Sequence, residues 1–120
     1  VKRQKSIPGL SLSSSDAEAI LCALPLITEI GAATPIQAAL NAQSCTSAAK
    51  KLLSATPVFT SNELRVISAS ITASVLLLSG SVECGLDKVS SERKRELSKH
   101  FFTLNRLDPL FRNVIAEHHS

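Results

Sequence analysis

The side chains with chemistry to offer are few and widely spaced. Three histidines occur, His100, His118 and His119. Adjacent residues do not share a helix face, so His118 and His119 make a poor metal clamp, and no metal site is expected. The three cysteines, Cys22, Cys45 and Cys84, are odd in number, and none has a second Cys or a His at ligand spacing. They read as free thiols in the core or at its boundary, which predicts a reducing, cytoplasmic compartment. Asp16, Glu18, Glu29 and Glu63 have the look of helix-terminal or surface carboxylates, Asp16, Glu18 and Glu63 suiting first turns. Serines are plentiful, yet none lies in a nucleophile elbow or a phosphate loop. With four glycines there is little loop from which to build an active site. The expectation is a protein that is not an enzyme and takes no cofactor and no small-molecule substrate.

One pattern does carry binding chemistry. The net charge of +3 is unevenly spread. Lys2, Arg3 and Lys5 lie in the first five residues, residues 6–87 hold three basic against six acidic side chains, and residues 88–112 hold seven basic against three acidic. Wound as one helix, that last stretch puts Leu86, Leu97, Phe101 and Leu104 on one face and Lys88, Arg95, Lys99 and Arg106 on the other, with Phe102 among the cations. Cations grip phosphates and an aromatic ring stacks a base, so Lys88, Arg95, Lys99, Phe102 and Arg106 are the candidate partner- or nucleic-acid-binding residues. The competing account is a solvated face, because Glu92 and Glu96 stand at helical spacing from Arg95, Lys99 and His100.

The elements that must position these residues are marked by punctuation. Ser15-Asp16-Ala17-Glu18, Thr34-Pro35-Ile36-Gln37 and Thr60-Ser61-Asn62-Glu63 are three Ser/Thr-x-x-Glu/Gln tetrads, each at the start of an apolar run. They predict three helix starts. The first helix should run from Asp16 to Ile30, kinked at Pro25, with Ile20, Leu21, Leu24 and Ile27 inward and Gly31 as its stop. The second should run from Pro35 towards Leu53 and break near Ser44, because residues 41–47 are polar and low in helix propensity. The third, Ser61 to Ser79, carries Leu64, Ile67, Ile71, Val75 and Leu78 on one face and Val66, Ala73 and Leu77 on the other. A helix apolar on two sides belongs at the centre of a bundle, and Phe59 is placed to staple onto Leu64. A fourth helix is expected from Ser90 to about Leu107, with Asp108-Pro109 starting a short last one over Leu110–Glu117. Gly80 and Gly85 punctuate the connection, and no strand-like alternation appears.

The uncharged run Val66–Val82 approaches the length of a short membrane span, but Ser68, Ser70, Thr72, Ser74, Ser79 and Ser81 make it a poor lipid-facing surface. The basic start is followed by Ser6-Ile7-Pro8-Gly9 with no long apolar stretch, so no signal peptide is expected. The lack of methionine is what processing or excision from a longer chain would leave. Residues 1–14 read as a basic, serine-rich flexible tail and residues 15–120 as one domain, an all-α bundle of about five helices. Alanines in the second and third helices favour close packing, and burying both faces of several helices in so small a bundle is geometrically hard. The expected function is therefore a non-enzymatic protein-protein interaction module that associates with itself as a homodimer or with another protein. The alternative is a small nucleic-acid-binding regulator that uses the basic face of the fourth helix.

Overall fold

A proline twelve residues into the first helical run decides the start of the fold. Pro25 has no N–H to give to Leu21, so the run divides into α1 (Ser14–Ala23) and α2 (Pro25–Ile30), with Leu24 as the joint. The computed structural model describes residues 12–30, 34–53, 59–79 and 89–118, the side chains of residues 29, 30, 117 and 118 excepted. The described residues are all-α. After α2 come α3 (Pro35–Leu52), α4 (Ser61–Leu78), α5 (Ser91–Ser98) and α6 (Phe101–His118). The glycines proposed as stops, the connection over residues 80–88 and the tail up to residue 11 lie outside the described residues.

The expected central helix is central: α4 packs against α1, α2, α3, α5 and α6. Leu64, Ile67 and Ile71 are buried on one side of it and Val66 on the other, while Val75, Leu77 and Leu78 are half-buried. Phe59, ahead of α4, joins Leu64 in the core. Two serines are wholly buried in α4 and satisfied by their own backbone, Ser70 donating to the Ile67 carbonyl at 2.8 Å and Ser74 to that of Ser70 at 2.8 Å. Among the described residues no helix is long and apolar enough to cross a membrane. The rest of the core comes from Ile20 and Leu26 below, Leu97 from α5, and Leu104, Leu107 and Phe111 from α6.

The helix starts were legible unevenly. Thr60 and Glu63 form a complete capping box, backbone of each bonded to the side chain of the other. At α3 only half forms: Thr34 Oγ1 accepts from Gln37 N at 3.1 Å, but the Gln37 amide turns to Asn41 Oδ1. The first box is corrected by two residues. Ser13 caps α1, and its partner is Asp16 rather than Glu18. This register turns Asp16 inward, where Arg106 on α6 meets it.

Three other expectations are overturned. The polar stretch near Ser44 does not break α3, because Ser47 on it faces α4 and donates to Glu63 Oε2 at 2.6 Å, a tertiary bond that outweighs weak propensity. The helix expected over residues 90–107 ends early: backbone bonds from Lys99 N to the Glu96 carbonyl and from His100 N to that of Leu97 tighten its last turn. Conversely Asp108-Pro109 starts nothing, since Pro109 sits inside α6. The proline and the carbonyl-bearing residue it would clash with, Asn105, are both exposed, so the missing bond falls on the water-facing side.

Because Ile67 and Ile71 are fully buried at the hub, changing either to Ala should cost about 2–5 kcal/mol in urea unfolding followed by circular dichroism. The same helix at exposed Ala69 should accept Ser within about 0.5 kcal/mol. Equal costs at the two kinds of position would contradict the packing described.

Candidate interaction surfaces

A continuous basic stripe needs one straight helix from residue 88 to residue 106, and the turn at Lys99–His100 removes that premise. Lys88 lies outside the described residues. Arg95 is exposed on α5, and Lys99 sits in the turn with its Nζ 3.9 Å from Glu96. Arg106 has structural work: its guanidinium reaches across from α6 to the buried carboxylate of Asp16. A side chain so engaged is a poor phosphate ligand, because leaving Asp16 would strand a buried charge. Arg93, a cation of the same stretch, is likewise turned inward and donates to the Cys22 carbonyl at 2.7 Å, next to the joint between α1 and α2. Of the four described candidates, Arg95 lies on α5, Lys99 in the turn after it, and Phe102 and Arg106 on α6.

Phe102 is the candidate that stands out. It is 86% exposed, and its ring meets half-buried Phe101 edge-on with centroids 5.9 Å apart. It does not pack under the end of α6. It shares an outer face of that helix with Arg106 one turn on.

A second surface was not singled out from sequence. Helix α3 lies at the side of the bundle, and its inner face buries Ala48 and Leu52 and half-buries Cys45 and Ala49. Ile36 is 75% exposed near the start of α3, with Leu40 46% exposed one turn on, and Leu53, the C-cap at its other end, is 77% exposed. The missed signal is the spacing of Ile36, Ala39 and Leu53, which follows the three-and-four alternation of a helix seam on the side away from Leu52. Between α3 and α4 a shallow cleft of about 70 Å³ is lined by Gln37, Leu40, Asn41, Ser44, Asn62, Arg65 and Val66. It is polar and small.

The groups able to do bond chemistry are restrained by their surroundings. Burial pushes the thiol of Cys22 up, Arg93 pulling it back only in part, and burial alone pushes up that of Cys45. Neither is a poised thiolate. Glu63 is buried, which opposes its charge, but donors from Lys51, Ser47 and the Thr60 backbone outweigh that burial and hold the carboxyl below the usual carboxylate range. It stays ionised as a helix cap rather than serving as a proton donor. Among the described residues no group of three His, Cys, Asp or Glu side chains is placed to hold a metal. His119 and the side chain of His118 lie outside the description. Comparison with known proteins finds no matching family model, no matching curated protein and no matching solved structure.

The exposure of Phe102 sets a direct expectation. Changing it to Ala should leave unfolding free energy within about 0.5 kcal/mol of the parent, as for other surface positions. A loss of about 3 kcal/mol or more would place the ring in a core or a stabilising interface instead.

Proposed function

We propose that this chain is a non-enzymatic helical interaction module that associates with itself, and that α3 is the helix through which it docks. The observation that carries the reading is the exposure of Ile36 and Leu53 on one face of a helix whose opposite face is in the core. Single exposed aliphatics are normal on a protein surface. Ile36 and Leu40 cluster with the exposed Ala38, Ala39 and Ala42 in the first half of α3, while Leu53, its C-cap, lies at the far end beyond the exposed Gln43, Thr46 and Lys50. Burying an Ile or Leu returns roughly 1.5–3 kcal/mol each, so a partner that covered both on each side would offset much of the cost of association. The free thiols Cys22 and Cys45 suit a reducing, cytoplasmic setting for such a module.

A second reading, a nucleic-acid-binding regulator, is favoured by the exposure of Phe102 in a stretch of chain where Arg95 and Lys99 are exposed too. It has lost Arg106 as a free cation. Retention of RNA or DNA at low salt, abolished by Phe102→Ala, would select it over self-association.

Sedimentation or light scattering over a concentration series tests the first reading. The expected result is a reversible dimer whose dissociation constant rises at least about tenfold, or 1.4 kcal/mol, on Ile36→Lys or Leu53→Lys without change in the circular dichroism spectrum. A protein that stays monomeric at the highest concentrations, or a dimer indifferent to both substitutions, would overturn it.

A further inference from the structure

Lys51, Arg93, Lys99, Arg106 and Arg112 each meet a carboxylate or a backbone carbonyl. Arg65 meets neither among the described residues, and it lines the cleft of about 70 Å³ between α3 and α4. Across the cleft stand Asn41 and Ser44 of α3, both half-buried, and beside Arg65 is Asn62, three residues earlier on the same face of α4. Gln37 donates through Nε2 to Asn41 Oδ1 at 2.9 Å, which leaves Asn41 Nδ2 to donate. No acidic side chain is among the described residues that line the space. A guanidinium, two amides and a hydroxyl around an acid-free cleft are the donor set of an anion site. We propose that this cleft binds a carboxylate carried on a short aliphatic body, a site that does not depend on the self-association proposed above.

Charge decides the class of anion. Arg65 is the one charged side chain among the described lining residues, so it balances a single negative charge. A phosphate dianion would bring a second charge with no cation to meet it. The planar fork of a guanidinium also matches the two oxygens of a carboxylate with parallel bonds. Glu63, close by on α4, does not compete for Arg65, because its oxygens are taken by the Thr60 backbone, Ser47 and Lys51. Those same bonds tie α3 to α4 beside the cleft, so its two walls are held before a ligand arrives.

Size and lining decide what the carboxylate is attached to. A volume of about 70 Å³ has room for about five water-sized groups, enough for a carboxylate and the first carbons of its stem. The two apolar lining residues are Val66, which is buried, and Leu40, which is 46% exposed. An aliphatic stem leaving the donors has these two side chains to cover. A free short-chain acid and the last residue of a peptide ending in an aliphatic side chain share that chemistry.

NMR titration of the isotope-labelled protein at neutral pH and constant ionic strength tests the site, with isovalerate, its neutral isostere isovaleramide, N-acetyl-leucine and inorganic phosphate as the probes. Isovalerate should shift the backbone signals of Ser44, Asn62 and Arg65 and the side-chain amide of Asn41 together, with one dissociation constant in the millimolar range that so small a ligand can reach. Isovaleramide should shift none of them. Arg65→Gln, an exposed position, should keep the circular dichroism spectrum and weaken isovalerate at least about tenfold, while Lys94→Gln on α5 should leave its affinity unchanged. Tighter binding of N-acetyl-leucine than of isovalerate would support the site with a peptide terminus as the source, and the reverse order would support it with a free acid. Isovaleramide binding as well as isovalerate, phosphate binding as tightly, or unchanged affinity in Arg65→Gln would overturn the proposal, and so would the absence of any shift at these residues.

Discussion

Three carboxylates, Asp16, Glu63 and Asp108, are almost wholly out of water, and each is met by a donor from another helix. A buried carboxylate is tolerated only where its lone pairs are matched, so each becomes a fixed point to which two helices are tied. Asp16 caps the start of α1 and takes Arg106 from α6. Glu63 caps the start of α4 and takes Ser47 and Lys51 from α3. Asp108 takes the Thr72 hydroxyl of α4 at 2.7 Å and Arg112 from its own helix at 2.9 Å. Two of the three bury the capping interaction itself. The group that starts a helix also says what that helix packs against, and no buried side-chain polar atom among the described residues is left without a partner.

This use of charge determines what is left at the surface. Arg106, though more than half exposed, is tied to Asp16, and Arg93 is tied to the backbone beside the α1–α2 joint, so both cations of the basic stretch are engaged within the monomer. The same logic holds α3 by one edge. Ser47 and Lys51 fix it to α4 through Glu63, Ala48 and Leu52 anchor its inner side, and its outer side is exposed. The exposure of Ile36 and Leu53 is a consequence of anchoring a long helix on the flank of a small bundle.

Fold class was readable because helix starts are local chemistry. Thr60 with Glu63 needs four residues and is found where the tetrad stands. The start of α1 was misplaced because consecutive serines offer several registers; in the one adopted, Asp16 bonds to Ser13 and also meets Arg106, ninety residues further on. The turn at Lys99–His100 is invisible to periodicity, since Leu97, Phe101 and Leu104 keep helical spacing across it. Asp108-Pro109 has the composition of a helix start, but Asp108 spends its oxygens on Thr72 and Arg112. The candidate site was legible in its aromatic member, Phe102, and not in α3. From sequence, Ile36 and Leu53 are indistinguishable from core residues until Ala48 and Leu52 are known to be the buried side.

The claim that capping carboxylates double as ties between helices is tested most directly at Glu63, by urea unfolding of the parent and Glu63→Gln at a series of pH values from about 7 to about 3. The folded carboxyl titrates below its unfolded value of about 4.3, so its contribution is full above that value and is lost as pH falls through the folded one. The account predicts that the parent is more stable by about 1–2 kcal/mol near neutral pH, where a charged acceptor serves three donors, and that the gap narrows steadily across the acid range. A variant as stable as the parent at neutral pH, or a gap that does not change with pH, would contradict it.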